Sequence, residues 1–219
     1  MAPNLDLAAD RAHALALTPV SRETEDRLAA FVECLLHRQQ TLNLIADSTV
    51  PHIWTRHVAD SLQLLSLAPE ALVWADLGSG AGFPGLPLAC ALAERNGARV
   101  HLVESTRKKS EFLNEAIRAT GAPAVVHCQR IADFARSFPG RLDVVTARAL
   151  APMPILLDYV RPFVKTGAKA LLLKGQDLDA ELTEAAKYWI IKAELVASKT
   201  SASSKIAVIR SVEPRKRKG

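Results

Sequence analysis

The stretch "WADLGSGAGFPGLPLA", residues 74–89, sets four glycines and two prolines between a short apolar run and a helical pattern. "VWADL" has the composition of a strand, "GSGAGFPG" that of a turn, and "LPLACALAE" that of a helix. Glycines in such a turn permit positive φ and leave room for a ligand against the backbone. In an open α/β sheet, a turn of this kind closes the carboxyl end of the first strand, where ligands bind.

Outward from it, apolar runs of strand length recur at 99–105, 124–130, 142–148 and 168–175, beside the run at 72–78 that feeds the glycine turn. They lack polar alternation, which predicts strands buried on both faces. Helical periodicity between them, at 107–119 and 152–163, predicts a parallel sheet covered by helices. "WIIKAELVAS" and "KIAVIRSV" are joined only by the polar "KTSASS", so the last two strands form an antiparallel hairpin. Upstream, residues 21–42 set Leu28, Phe31, Val32, Leu35, Leu36 and Gln39 on one helical face. Ser21 is its N-cap, with Glu23 and Glu25 in the first turn. A second helix is expected over 51–67, burying Ile53, Val58, Leu62 and Leu65. The expected organisation is a helical region at 1–70 packed on the core, a Rossmann-like α/β domain at 71–212, and a basic tail at 213–219.

With 219 residues, 49% hydrophobic and 23% charged, the chain is of ordinary globular composition. Cys34, Cys90 and Cys128 are far apart and show no metal-ligand spacing, so buried free thiols in a reducing compartment, and no metal, are expected. No uncharged run approaches the roughly 20 residues of a membrane helix. The N-terminus carries Asp6 and Asp10, and its apolar run is broken by Arg11 and His13, which is no signal-peptide pattern. A cytoplasmic protein with no membrane partner is expected. Net charge is +5, falling to about +1 without Arg215, Lys216, Arg217 and Lys218 of the tail. Such a tail can hold phosphates by counterion release or be a solvated end, and the composition leaves both open.

Glu104 closes the second strand, roughly twenty residues past the glycine turn, where a carboxylate can accept two hydrogen bonds from a ribose diol. An adenosine-type cofactor is therefore implied. Gly80, Gly82 and Gly85 formally satisfy the G-x-G-x-x-G dinucleotide pattern, but Pro84 falls inside it. Asp76 extends the series to D-x-G-x-G-x-G, which suits a cofactor carrying an amino acid and a sulfonium with no pyrophosphate. With the closing hairpin, this points to the class I S-adenosylmethionine-dependent methyltransferase architecture. An NAD-binding oxidoreductase is the competing reading of the glycines.

"LNLIA" (42–46), "RHVADSL" (56–62), "DLGSGAGFPGLPLA" (76–89), "LVESTRKKSEFL" (102–113), "RIADF" (130–134), "ARALAPM" (147–153) and "LLLKGQ" (171–176) follow one another in order. Over residues 21–212 the chain resembles the bacterial small-subunit ribosomal RNA guanosine-N7 methyltransferases, historically called glucose-inhibited division protein B. The resemblance implies S-adenosyl-L-methionine bordered by Gly78, Gly80 and Phe83, with its ribose on Glu104 and its adenine beside Ile131 and Ala132. It places Arg148 at the cofactor site, where its fork would meet a carboxylate or an RNA phosphate. Arg56, His57 and Asp60 would pack beside the active-site mouth and Lys174 would line its far edge. The implied target is the guanosine at position 527 of 16S rRNA, in the 530 loop, within the small subunit or its assembly intermediate. Two positions depart from the family: Ile45 replaces a small hydroxyl residue, and Ala132 replaces an acidic one, with Asp133 next to it. The tail has no counterpart in the family.

Guanine N7 has a lone pair and no proton to lose, so transfer to it needs alignment and no general base. Asp60 is a candidate to stabilise the cationic product, and no catalytic base is assigned. Arg107, Lys108 and Lys109 open a helix, where cations oppose the dipole; a role on RNA phosphates and a solvated face both stay open for them. Arg56, His57 and Lys174 are the other RNA-binding candidates, and His57 reads equally as packing or N-capping. His13, His37, His52, His101 and His127 read as structural. At 5% aromatic, the chain has few stacking platforms beyond Trp54, Phe83 and Trp189, so shape and phosphate contacts are expected to dominate. A monomer is expected. The alternatives are a methyltransferase of the same fold acting on another RNA or a small molecule, and a non-catalytic ribosome-assembly factor.

Overall fold

The computed structural model describes residues 7–215; Asp6 and the tail residues Lys216, Arg217 and Lys218 lie outside them. Seven strands form one sheet in the order β3-β2-β1-β4-β5-β7-β6. Strands β1 (Val73–Leu77), β2 (Arg99–Val103), β3 (Ala124–His127), β4 (Val144–Arg148) and β5 (Lys169–Lys174) run parallel. β7 (Lys205–Pro214) is antiparallel to β5 and pairs with β6 (Trp189–Ala197) as the closing hairpin.

Strands β1, β2, β4 and β5 feed both layers because successive side chains point to opposite faces. Trp74, Val100, Leu102, Val144, Leu171 and Leu173 join one core, and Ala75, Leu77, Val103, Val145, Ala147 and Leu172 the other. Helices α1 (Ala8–Leu17), α2 (Arg22–Gln39), α4 (Gly85–Leu92) and α5 (Arg107–Thr120) contribute to the first core. Helices α6 (Ile131–Ser137), α7 (Met153–Lys165) and α8 (Leu178–Ala185) contribute to the second. The N-terminal helices thus share a core with the sheet.

α2 begins as its sequence predicts, with the Ser21 hydroxyl accepting from the Thr24 amide. The expected regular helix at 51–67 is instead a composite: a 3-10 turn at Asp47–His52, π turns at Trp54–Ala59, the short α3 at Asp60–Leu62, and a 3-10 turn at Gln63–Leu67. Departing from 3.6 residues per turn shifts the buried phase, so Leu64 is fully buried where Leu65 was expected. Asp10 of α1 fastens the π segment, accepting from the Trp54 amide at 2.8 Å and the Thr55 hydroxyl at 2.6 Å. Trp54 is 3% exposed beneath the Arg11 guanidinium and is no stacking platform. The cysteine expectation is corrected too: Cys90 is buried, Cys34 is half-buried, and Cys128, in the loop after β3, is exposed.

At the β2–β3 edge, His101 Nδ1 and His127 Nε2 lie 2.9 Å apart among Phe134 and Phe138. Burial, then His127 and Arg99, hold His101 down at about 4. Burial also lowers His127, and burial with Arg148 and Arg56 lowers His57 to about 3. An unfolded chain takes up these protons below its ordinary histidine pKa, whereas the folded one does so only at lower pH. Stability is therefore lost as pH falls from about 7 toward 4. Asp76, raised to about 6 by burial, acts in the opposite sense but is one group against three. Urea denaturation should show a lower midpoint at about pH 5 than at about pH 7.5; an unchanged midpoint would contradict the neutral histidines.

Candidate active site

The strand order reverses between β1 and β4, and the connections leaving their carboxyl ends part there. A cavity of about 590 Å³ opens at this point, within the range of small-molecule sites. Its floor is the glycine turn, strapped to β2: the amides of Gly78 and Ser79 donate to the Val103 carbonyl at 2.8 and 3.0 Å. Glu104, 7% exposed, holds the turn from the side. Its Oε2 accepts from the Gly80 amide at 3.0 Å and its Oε1 from the Thr106 amide at 2.7 Å. A carboxylate has about four acceptor sites, so two remain for the cavity. At Gly80, φ is +54° and an added Cβ would meet only the Gly78 carbonyl at 3.7 Å. The glycine there serves conformation and leaves open space above the backbone.

Asp76 does not line the cavity. Its Oδ2 accepts from the Gly85 amide at 3.1 Å and its Oδ1 from the Thr146 hydroxyl at 3.1 Å, tying the start of α4 to β1 and β4. The carboxylate that the sequence groups with the glycines is thus a buried fastening.

Arg148, at the end of β4, is fixed by three groups. Its Nε lies 3.4 Å from Asp60 Oδ2, its Nη2 donates to the Arg56 carbonyl at 2.8 Å, and its guanidinium sits 6.0 Å from the Phe83 ring centre. Burial lowers the Arg148 pKa while Asp60 opposes the shift. Asp60 is itself held, its Oδ1 accepting from Gln63 Nε2 and the Thr200 hydroxyl, each at 2.8 Å. The Asp60 side chain is therefore engaged in positioning Arg148 and the β6–β7 loop. Ala149 follows with φ +49°, a left-handed conformation that costs a non-glycine residue and recurs at ligand sites.

All the residues expected to hold a cofactor line this cavity: Gly78, Gly80 and Phe83 from the turn, Glu104 after β2, Ile131 and Ala132 at the start of α6, and Arg148. Among the RNA-binding candidates, His57 and Lys109 line it as well, whereas Arg56 and Lys174 line a smaller cavity beyond Arg148. His57 is buried, bonded to the Thr49 hydroxyl at 2.9 Å and stacked on Phe83. Lys174 is ion-paired with Glu181 at 2.7 Å. Arg107 and Lys108 are exposed and line neither cavity; Arg107 pairs with Glu111 one turn on. Ile45 contributes an apolar wall. Tyr159 of α7 is a lining residue that sequence reasoning missed, since nothing in an amphipathic pattern marks which helical residue reaches a ligand.

The cavity suits a nucleoside with a charged amino-acid arm. Glu104 offers acceptors for a diol, and the glycine turn leaves space against the backbone. Two buried polar atoms of lining residues, His57 Nδ1 and Arg148 Nη1, have no partner among the described residues. Buried polar groups are rarely left so unless something else pairs them.

The family model described as rRNA small subunit methyltransferase G matches residues 24–210. A Bradyrhizobium protein named ribosomal RNA small subunit methyltransferase G is 60% identical over 210 residues, covering 96% of this chain and 95% of that one. A Nitrobacter hamburgensis protein of the same name is 59% identical, covering 96% and 81%. Among solved structures, the O-methyltransferase TomG from Streptomyces achromogenes, in complex with S-adenosylmethionine, superimposes with TM-score 0.59 at 15% identity, covering 93% of this chain and 96% of that one. A putative O-methyltransferase from Klebsiella pneumoniae does so with TM-score 0.58 at 12% identity, covering 93% and 97%. At such identities these two speak to the fold alone, the class I methyltransferase sheet.

Proposed function

Because this chain belongs to the rRNA small subunit methyltransferase G family, we propose that it methylates N7 of the guanosine at position 527 of 16S rRNA, using S-adenosylmethionine. The observation that carries the reading is the cavity at the β1–β4 reversal, which Glu104 and Arg148 both line. Methyltransfer onto small-subunit rRNA is what the relatives' names state; the atom and the nucleotide are the finer part of the proposal.

Gly78, Gly80 and Phe83 would border the cofactor, Glu104 its ribose, Ile131 and Ala132 its adenine, and Arg148 its carboxylate. When bound, the cofactor supplies a sulfonium methyl, whose C–S bonding electrons return to sulfur as the N7 lone pair forms the new N–C bond. N7 carries no proton, so the chain has none to remove, and its contribution is alignment and electrostatics. Asp60 acts through Arg148, fixing the guanidinium so that little freedom is lost on binding. Leu44, Ile45 and His57 of the N-terminal region wall the cavity and exclude water. Lys109 on the cavity wall, with the exposed Lys108 beside it in the chain, would offer cations to RNA phosphates.

Incubation with labelled S-adenosylmethionine and small subunits from a strain lacking the homologous activity should yield 7-methylguanosine on nucleoside mass spectrometry, mapping to the 530 loop. Label at another atom or loop, or none from cofactor-bound protein, would overturn the reading.

A further inference from the structure

Beyond Arg148 lies a second cavity of about 230 Å³, between the ends of β4 and β5, the start of α8 and the β6–β7 loop. Arg148 and Ala149 line both cavities, so the two meet at that wall. Most charged groups around the second cavity are already paired. Asp60 is bonded to Arg148, Gln63 and Thr200, as described. Glu181 is taken by Lys174 at 2.7 Å and by the Met153 amide at 2.6 Å, and Lys205 by Asp179 at 2.7 Å.

Asp177 is the exception among the carboxylates lining it. It stands at the N-cap of α8, where an aspartate ordinarily accepts from a first-turn amide. Its side chain makes no capping bond and, among the described residues, no other hydrogen bond or ion pair; only its backbone carbonyl is used, by the Glu181 amide at 2.9 Å. The carboxylate is exposed on the cavity wall. Gly175 beside it would give an added Cβ no neighbour within 4 Å, so the space there is open. At the shared wall, the buried Arg148 Nη1 has no partner among the described residues. An open space with a free carboxylate on its wall is arranged to receive a group bearing hydrogen-bond donors.

We propose that this second cavity seats the acceptor guanine, and that the Asp177 carboxylate selects it by accepting hydrogen bonds from N1–H and N2–H2. The inference rests on the guanine-N7 reading above. Guanine alone among the four RNA bases shows two adjacent donors on its Watson–Crick edge, which two carboxylate oxygens match. Its N7 lies on the opposite side of the purine. A base held at Asp177 turns N7 away from that carboxylate, and the assignment requires N7 to face the Arg148 and Ala149 wall shared with the cofactor cavity. Arg56, exposed on this cavity and, among the described residues, with no partner for its guanidinium, is the cation available to the nucleotide's phosphate.

The test compares small subunits reconstituted with 16S rRNA carrying guanosine or inosine at the target position. Inosine keeps N1–H, O6 and N7 and lacks only the 2-amino group. The wild-type chain should use inosine about 10-fold less efficiently or worse. Asp177→Ala should methylate guanosine about 10- to 100-fold less efficiently and accept inosine equally well, because the group that distinguishes them is gone. Its dissociation constant for S-adenosylmethionine should stay within about twofold, which also shows that the variant folds. If Asp177→Ala works within twofold of wild type on guanosine, or still discriminates against inosine, the assignment of Asp177 is overturned while the reaction stands. If wild type places no methyl on guanosine N7, the reaction fails and the assignment with it.

Discussion

Glu104→Ala is expected to weaken S-adenosylmethionine binding about 100-fold. Two hydrogen bonds from a ribose diol to a carboxylate contribute about 3 kcal/mol together, near the lower bound for charged acceptors, and each 1.4 kcal/mol is tenfold in affinity. A second loss adds to this. Glu104 also accepts from the Gly80 and Thr106 amides, so the glycine turn would lose its lateral support before any ligand arrives. Glu104→Gln separates the two contributions. Its amide oxygen can still accept from one of these amides, while its NH2 faces the other donor and offers the diol one acceptor fewer. Calorimetric titration should rank affinity as wild type, then Gln, then Ala. Because the Val103 carbonyl still holds Gly78 and Ser79, Ala should remain folded. Ala binding the cofactor within threefold of wild type would remove Glu104 from the site.

Gly85→Ala is expected to lower stability by about 3 kcal/mol, the upper end for overpacking a buried site. An added Cβ would stand 2.3 Å from Leu102 Cδ2 and 2.8 Å from Asp76 Oδ2. The leucine can give way only into a filled core. The aspartate is tied to the Gly85 amide and the Thr146 hydroxyl, so it moves only by breaking a buried bond. For a chain of this length the melting temperature should fall by roughly 6–12 °C. Gly121→Ala is the comparison: φ is +62° there but an added Cβ meets nothing within 4 Å. It should cost only the conformational strain, about 1 kcal/mol. Equal losses in thermal unfolding would show that crowding at Gly85 is relieved cheaply.

These two positions were legible to different degrees. Glu104 stands out because a carboxylate closing the second strand after a glycine turn is placed to meet a ribose diol, and the structure sets it on the cavity wall. Gly85 reads as one glycine of a series, and only the approach of Leu102 and Asp76 shows that its role is packing. Asp76 illustrates the reverse: it stands in the D-x-G-x-G-x-G pattern that suits a cofactor, yet its oxygens are spent inside the fold. Lys174 likewise suggests an RNA cation and is found paired with Glu181.

The sequence by itself determined the sheet, its parallel strands, the closing hairpin and the glycine turn with Glu104. These rest on local periodicity and spacing, which are consequences of how successive side chains leave a strand or helix. Only the tertiary structure decided that Asp60 holds Arg148, that Gln63 and Thr200 tie the β6–β7 loop to them, and that Trp54 is covered. The phase of the 47–67 segment and the unpaired state of Asp177 belong there too. Periodicity records which face of an element is buried. It carries no information about which distant residue faces it, and hydrogen-bond partners and cavities are made of those distant pairings.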